Sequence, residues 1–383
     1  MSMRTLTYQV SFNTPAFLGN AEQQAQWRTP PFKALLRQWW RIVKAPSVKV
    51  NYDHKRLLTD ENALFGSALD GASSNRSKVQ LRLSAWDEGT LTQLPSMKMH
   101  QHPEVKDTGT GQLRPIGTGV YLGFGPVTTQ GIRKAIEPCK IPPTLKVRCP
   151  ETDLDDIKKA MQLIAWFGSV GSRARNAWGS VRLEGDGISG IEGLCDSKLS
   201  ELLSLRTISA ALGDRLAGDW PHSMGLCSDG RPAVWLVVAG QKQVEGKTQF
   251  LGFDKWEQVL ERFAALKIGF RTQFSFNNQG GLHRDVMDRH VLAYPVTNHA
   301  LGNLPNARLA SQLRFKVMAN KDNKFFGVIA HVPTAMPRDF FFDKERQLMN
   351  PPAIADQVRV WQEVHQFMNK PQPGSQVFRI RKD

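Results

Sequence analysis

The sequence is poor in cysteine and has no long apolar run. Its 383 residues include 4 cysteines, none in a CxxC pair, so neither a zinc site nor a disulfide framework is predicted. The longest apolar runs, such as residues 233–239, are far shorter than the roughly 18 residues of a membrane-spanning helix. The glycine-rich segment at residues 168–179 lacks the Gly-Lys-Ser/Thr ending of a P-loop, which argues against nucleotide hydrolysis.

Negative charge is also in short supply. The chain has 50 Lys and Arg against 35 Asp and Glu, a formal net charge of +15. An excess of this size favours a polyanionic partner, either nucleic acid or an anionic membrane. Residues 1–12 alternate like a strand and lack the continuous apolar region of a signal peptide. We therefore expect a cytoplasmic protein that binds nucleic acid.

The glycine-rich loop at residues 168–179 is the first candidate site. It carries glycines, hydrogen-bond donors and an indole: Gly168, Gly171, Ser172, Arg173, Arg175, Asn176, Trp178 and Gly179. Glycine permits positive φ and close backbone approach, guanidinium groups can hold phosphate, and an indole can stack on a base. From these residues alone, an ordinary helix-to-strand turn with two solvated arginines is an equally good interpretation.

A basic helix is the second candidate. Thr29 and the prolines that follow it predict a helix that begins there and extends to about residue 43. Its apolar residues, including two tryptophans, are predicted to face the core. Basic residues recur every three or four positions on another face: Lys33, Arg37, Arg41 and Lys44. This stripe is a candidate for contact with a nucleic-acid backbone, and a solvated face is the alternative.

The order of elements predicts an α+β fold. Strands are predicted at residues 6–12, 78–84, 121–125, 144–148 and 180–184, and helices at 29–43, 59–69 and 154–168. After a glycine cluster at 185–192 a similar order follows, with helices at 197–212, 254–266 and 352–367 and strands at 233–239, 270–276, 313–318 and 327–332. We expect two ferredoxin-like domains, residues 1–188 and 189–383, with antiparallel sheets and helices on one face.

Several segments together resemble one family. They read FNTPAFLG at 12–19, PFKALLRQWWR at 31–41, LFG at 64–66, YLGFG at 121–125 and GSVGSRARNAWG at 168–179. In order and spacing, roughly residues 5–185 are similar to the RAMP proteins (repeat-associated mysterious proteins) of type III CRISPR effector complexes, nearest to the first-named RAMP subunit of the Cmr complex. The chain departs from the family pattern at Lys33-Ala34 and at Asn176-Ala177, because Arg-Gly is common at both places.

The resemblance implies two RRM-type ferredoxin-like domains packed together, with the basic helix and the glycine-rich loop facing guide RNA. It implies that Arg37, Arg41, Arg173 and Arg175 contact the RNA backbone and that a tryptophan stacks on a base. The chain would then be a non-catalytic, cytoplasmic subunit that binds CRISPR RNA and target RNA beside other subunits of a type III effector. No metal and no cofactor are predicted.

A metal-independent endoribonuclease that matures CRISPR RNA is the alternative function. Such a reaction needs a positioned acid or base, and His54, His100 and His102 are the histidines of the first half. The last two lie in a polar stretch at residues 87–115. This stretch is expected to protrude from the first domain as a loop or hairpin, and to become ordered mainly against RNA or a neighbouring subunit.

A metal-dependent nuclease and a membrane-surface scaffold are less well supported. The acidic and histidine residues that could form a metal cluster have no spacing typical of a ligand set. They are His283, Asp285, Asp288 and His290. A scaffold on a membrane surface would need a basic amphipathic helix with an apolar face larger than a core explains, and the sequence has none.

Overall fold

The computed structural model describes residues 2–67, 75–107, 109–138, 142–213, 221–276, 281–283, 285–297, 299–301, 308–336, 352–370 and 376–380. The fold is α+β with antiparallel four-stranded sheets, as predicted. None of the helices in these ranges is long and apolar enough to cross a membrane.

The first half of the chain builds a four-stranded sheet with helices on one face. Its elements are β1 (Met3–Phe12), α1 (Thr29–Lys44), α2 (His54–Phe65), β2 (Gln80–Leu83), β3 (Met99–His100), β4 (Ile116–Gly117), α3 (Thr118–Gly123), β5 (Val127–Thr128), β6 (Gly131–Ile132), β7 (Thr144–Pro150), α4 (Leu154–Phe167) and β8 (Val181–Gly185). The sheet has the order β2-β7-β1-β8, and all neighbours in it are antiparallel.

Alternation along β1 determines which face of this sheet is covered. Leu6, Tyr8, Val10 and Phe12 are buried and pack with apolar residues of α1 and α4, whereas the residues between them are mostly exposed. The period of two places successive side chains on opposite faces of a strand. Both helices therefore cover one face, and the other face is polar and open to solvent.

The second half builds a second sheet with the same strand order. Its elements are α5 (Ile191–Asp196), β9 (Leu205–Thr207), α6 (Ile208–Gly213), β10 (Met224–Leu226), β11 (Val234–Val238), β12 (Gly240–Val244), β13 (Lys247–Leu251), α7 (Trp256–Thr272), β14 (Gly281–His283), α8 (Asp288–Leu292), β15 (His299–Leu301), β16 (Leu313–Ala319), β17 (Phe325–His331), α9 (Ile354–Asn369) and β18 (Gln376–Arg379). The order β16-β17-β11-β18 is antiparallel throughout and matches the first sheet element by element.

The second sheet is covered on both faces. Along β11, Val234, Leu236 and Val238 pack with the apolar residues of α1 and α4, whereas Trp235 and Val237 pack with those of α7 and α9. The molecule thus has four layers: the first sheet, α1 and α4, the second sheet, then α7 and α9. The prediction of helices on one face holds for the first sheet only, because helices of the first half cover the second face of the second sheet.

Four predicted elements differ in the structure. Residues 197–212, predicted as one helix, contain a 3-10 turn, β9 and most of α6. Residues 121–125, predicted as a strand, lie at the end of α3 and just after it. Residues 270–276 are not a strand: α7 continues to Thr272, and Phe263, Leu266 and Phe270 keep a helical spacing in the core. The second helix begins at His54 rather than at residue 59, because the Asp53 carboxylate accepts hydrogen bonds from the first-turn amides of α2.

The polar stretch at residues 87–115 fits the prediction of a hairpin, but not that of a segment ordered mainly by RNA or a neighbouring subunit. It contains β3, which pairs with β4, and its base lies against the second half of the chain. The Lys98 amide donates to Glu261 of α7 at 2.9 Å, and Glu104 forms an ion pair with Arg289 of α8. Contacts within the chain therefore hold this base, and every residue of the tip, 109–115, is exposed.

Candidate nucleic-acid interface

The glycine-rich loop connects α4 to β8, and its backbone requires glycine at two positions. Gly171 has φ +91° and Gly179 has φ +63°. A Cβ on Gly171 would lie 2.6 Å from the Phe17 carbonyl oxygen, and one on Gly179 would lie 2.0 Å from that of Val170. Both glycines therefore permit a close approach of two backbone segments, as the sequence predicted.

The first part of this loop is open to solvent. Gly171, Ser172 and Arg173 are exposed. The Ser172 amide donates to the Phe17 carbonyl oxygen at 2.9 Å, and Arg173 Nε donates to that of Phe124 at 2.6 Å. These bonds hold the loop backbone while the Ser172 hydroxyl and the rest of the Arg173 guanidinium stay available to a ligand.

The second part of the loop is structural. Trp178 is 0% exposed, and its ring packs against those of Phe17 and Trp256, with centroids 5.2 and 6.1 Å away. Arg175 donates to the Ser311 carbonyl oxygen at 2.5 Å, and Asn176 donates to that of Leu122 at 2.8 Å. Trp178 thus presents no stacking surface, which corrects the expectation, because Phe17 of the first half and Trp256 of the second half cover it.

A buried lysine that the sequence analysis missed ties this loop to the second sheet. Lys316 of β16 is 1% exposed, and its ammonium donates to the carbonyl oxygens of Ile164, Gly168 and Val181 at 2.7, 2.9 and 2.6 Å. The carbonyls of residues 164 and 168 lie at the C-terminus of α4, where positive charge is favourable. The available signal was a lysine placed directly between two apolar strand residues, Phe315 and Val317.

The basic stripe of α1 is largely paired inside the fold. Arg37 donates one hydrogen bond to Glu61 of α2, at 2.7 Å, and Arg41 donates two, at 2.6 and 2.8 Å. The Glu61 side chain is 0% exposed. Lys44 pairs with Asp156 at 2.9 Å. The buried carboxylate therefore holds both guanidinium groups within the fold. This pairing competes with the contact to an RNA backbone that was expected of them. Lys33 has no hydrogen bond or ion pair within the described chain.

A pocket of about 410 Å³ opens beside the exposed part of the loop. It is lined by Phe17, Leu18, Gly19, Asn20, Gln23, Ala25, Arg28, Pro31, Pro126, Arg133, Lys134, Gly171 and Ser172. We call it the loop pocket. It has three cationic residues and no acidic one, so its potential is positive.

The cations of the loop pocket are nearly free of protein partners. Arg28 Nε is buried without a hydrogen-bond partner, and Lys134 forms no hydrogen bond or ion pair with the described residues. Arg133 donates to the Gln23 side-chain oxygen at 2.8 Å, a neutral acceptor. Guanidinium and ammonium groups in this state suit an anion with several oxygens. Sequence reasoning missed these residues because three separate segments bring them together.

Comparisons with known proteins find similarity in fold. No family model and no curated protein match the chain. The chain is similar to Cmr1 along nearly its whole length. Cmr1 from Pyrococcus furiosus, in its apo form, aligns with 94% of this chain and 96% of its own, at 15% identity and a TM-score of 0.39.

Two further solved chains belong to Type III-B Cmr-beta bound to cognate target RNA. One aligns with 95% of this chain and 99% of its own, at 10% identity and a TM-score of 0.42. The other, from state 2 with AMPPnP and ssDNA, aligns with 94% of this chain and 98% of its own, at 10% identity and a TM-score of 0.40. These values are too low to transfer a role to any residue.

The candidate catalytic histidines are held in place by hydrogen bonds. His100 and Thr118 share a bond of 2.8 Å between ring Nε2 and the hydroxyl, and His102 Nδ1 accepts from the Glu104 amide at 3.1 Å. Burial lowers the pKa of both histidines below its ordinary value. Both histidines therefore have hydrogen-bond partners within the chain. His54 lies apart from the hairpin, at the first turn of α2.

Two of the residues considered for a metal cluster, Asp288 and His290, have other partners. His290 accepts from the Met287 amide and shares a 2.9 Å bond with the His299 carbonyl oxygen, and Asp288 pairs with Arg359 at 2.6 Å. Within the described ranges, no group of three or more His, Cys, Asp and Glu residues is arranged to hold a metal ion.

Proposed function

We propose that the chain is a non-catalytic RNA-binding subunit of a type III, Cmr-like antiviral effector ribonucleoprotein. In this proposal it binds CRISPR RNA and target RNA beside other subunits of the complex. Its two halves, residues 1–188 and 189–383, act as two packed ferredoxin-like units. The repeated strand order and the helix between successive strands support this division.

The loop pocket carries the proposal. Three cations and the backbone of a glycine-rich turn line one opening, without a carboxylate to neutralise them. RNA supplies one negative charge per nucleotide, and phosphate contacts account for most sequence-independent affinity. A guanidinium held without a partner is already desolvated in part, so a phosphate oxygen can bind it at a smaller cost.

The residues of the proposed RNA site come from three segments. Arg28, Arg133 and Lys134 provide charge from inside the pocket, and Ser172 and Arg173 provide donors from the loop. Lys33, one turn into α1, adds an ammonium group whose pKa is lowered by burial and by the charge of Arg37. Arg175, Asn176, Trp178 and the glycines 168, 171 and 179 act indirectly, because they hold the shape of the loop.

Salt-dependent RNA binding tests the proposal. We expect unstructured single-stranded RNA of unrelated sequences to bind with similar affinity, since phosphate contacts carry no sequence information. Arg28→Gln, Lys134→Gln and Arg173→Gln should each flatten the log–log salt dependence by about 0.7, the value for one lost single-strand phosphate contact. The RNA should remain intact with and without magnesium.

Lys324→Gln is the matched control for charge. Lys324 is half-exposed and pairs with Asp254 at 2.7 Å on another part of the surface. The control lowers the net charge by the same amount but should leave the slope unchanged. A slope that flattens equally in the control and in the pocket variants would refute the loop pocket as the RNA site. Specific cleavage of the RNA that disappears in His102→Ala would instead support the endoribonuclease alternative.

A further inference from the structure

A second group of unpaired donors lies where the two halves meet. Lys267 and Arg271 are four residues apart near the end of α7, so their side chains share one face of the helix. Like charges at this spacing repel one another. Burial, together with the charges of Arg271 and Arg173, lowers the pKa of Lys267 to about 7.

Two aromatic side chains from the first half face this pair. The Tyr121 ring of α3 lies 5.8 Å from Lys267 Nζ, and the His102 ring lies 5.6 Å from the Tyr121 ring. The charge of Arg271 acts on the pKa of both aromatic groups. The four side chains therefore lie close together, and we call them the junction site: His102, Tyr121, Lys267 and Arg271.

Donors in the junction site outnumber acceptors. The Tyr121 hydroxyl is buried without a partner, and Arg271 forms no hydrogen bond or ion pair with any described residue. Lys267 donates one bond, to the Asn176 side-chain oxygen at 2.7 Å. Since His102 Nδ1 accepts a backbone bond, its Nε2 carries the proton in the neutral ring.

The carboxylate of Glu104, whose charge affects the pKa values of these groups, is already paired with Arg289. Glu104 contributes to the pKa shifts of His102, Tyr121 and Arg271, but both of its oxygens accept from Arg289, one of them at 2.6 Å. The junction site thus holds partly buried positive charge and unused donors without an acceptor. Buried groups in this state are costly unless a ligand pairs with them.

We propose that the junction site binds a phosphate group and that, in the assembled protein, this is a backbone phosphate of RNA. A phosphate offers four oxygens and negative charge, which match a guanidinium, an ammonium, a hydroxyl and an imidazole N–H. The assignment to RNA rests on the proposed function, whereas the phosphate site does not. Free inorganic phosphate is the other source of the same chemistry.

Sulfate is the first probe, because it has the shape of phosphate and does not titrate near neutral pH. Isothermal titration calorimetry compares the full chain with Arg271→Gln and with Arg262→Gln, a control on the same helix. We expect sulfate to bind the wild type and the control equally, and Arg271→Gln to bind it roughly tenfold or more weakly. Absence of sulfate binding, or equal affinity in Arg271→Gln, would overturn the site.

Thermal unfolding separates a lost ligand contact from a damaged fold. Without sulfate, Arg271→Gln should unfold at the same temperature as the wild type or higher, because it removes one of two neighbouring like charges. Sulfate should raise the unfolding temperature of the wild type and of Arg262→Gln more than that of Arg271→Gln. An equal rise in all three proteins would be general salt stabilisation and would count against the site.

Proton uptake gives an independent readout. An anion favours the charged form of Lys267, so sulfate affinity should fall as the pH rises from about 6 to about 8. Of the groups that face Lys267, Tyr121 has a pKa of about 12, and Arg173 and Arg271 stay charged. Burial lowers the pKa of His102 below its ordinary value, which moves its titration towards the acid end of this range. Lys267→Met should flatten this pH dependence, and an unchanged profile would oppose the site.

RNA binding then identifies the source of the phosphate. If RNA occupies the junction site, Arg271→Gln should flatten the salt dependence of RNA binding by about 0.7, and Arg262→Gln should not. Lost sulfate binding with an unchanged RNA slope overturns the RNA assignment and leaves a site for free phosphate. A chain that binds sulfate but no RNA overturns the proposed function and leaves the phosphate site standing.

Discussion

Glu61 determines whether the basic face of α1 is structural or binds RNA. Its side chain is 0% exposed and accepts two hydrogen bonds from Arg41 and one from Arg37, whose side chains are 17% and 33% exposed. Removing one partner of a buried ion pair costs about 3–5 kcal/mol, because the other charge is left unpaired. Because Arg37 and Arg41 share Glu61, the loss of one arginine leaves the carboxylate paired with the other, which lowers that cost.

The three residues should therefore differ in a defined order. Arg41→Gln loses two charged bonds from the less exposed arginine, and we expect a loss of about 2–4 kcal/mol in the free energy of unfolding. Arg37→Gln loses one bond from a side chain that is one-third exposed, and solvent screening reduces its loss to about 1 kcal/mol. Glu61→Gln frees both arginines, which can turn towards water, at about 2–3 kcal/mol.

Urea unfolding and RNA binding, both measured on the same variants, test these expected losses. The expected result is a large drop in urea midpoint for Arg41→Gln and Glu61→Gln and a smaller drop for Arg37→Gln, with RNA salt slopes equal to that of the wild type. The combined variant Arg41→Gln/Glu61→Gln should lose less than the sum of its parts, because both changes break the same bonds. Unfolding free energies within about 0.5 kcal/mol of wild type, together with slopes flattened by about 0.7, would refute this reasoning and restore the stripe as an RNA contact.

Three further predictions concern the core. Trp178→Ala should cost about 3–5 kcal/mol of stability and leave the RNA salt slope of the folded protein unchanged, since the indole is 0% exposed; a stable variant with weaker RNA binding would contradict its burial. Gly179→Ala should destabilise by several times the roughly 1 kcal/mol expected for Gly187→Ala, because both have positive φ but only position 179 places a new Cβ 2.0 Å from a carbonyl oxygen; equal urea midpoints would count against the loop geometry. Burial lowers the pKa of His365 to about 3 and that of His331 well below its ordinary value, so the unfolded chain takes up protons first. The free energy of unfolding should be highest above about pH 6.5 and should fall as the pH drops towards 3, by up to about 1.4 kcal/mol per pH unit for each histidine. In His365→Gln this fall should be less steep.

Much of the fold could be predicted because it is encoded in local patterns. The alternation in β1, the apolar stripes of α1 and α4 and the positive-φ requirement at Gly171 and Gly179 depend on neighbouring residues and on backbone sterics. These features predict a strand, two helices and a tight loop without knowledge of the partner segments. The same is true of the net charge, which favours a polyanion whatever the fold.

The errors arose where distant residues decide the outcome. Residues 270–276 alternate enough to predict a strand, but packing of Phe270 in the second core keeps α7 helical up to Thr272. The hairpin that carries His100 looks unstructured in sequence, yet contacts with α7 and α8 order it. Local propensity is a weak prior, and tertiary burial overrides it.

The candidate site shows most clearly which features the local sequence determines and which depend on distant residues. The sequence by itself determined a positively charged chain with a glycine-rich loop and a basic helix. Only the tertiary structure decided that Trp178 is core, that Glu61 holds two of the arginines, and that Arg28 and Lys134 remain unpaired beside the loop. The physical reason is that a charge is available to a ligand only if no distant residue has already paired with it or buried it.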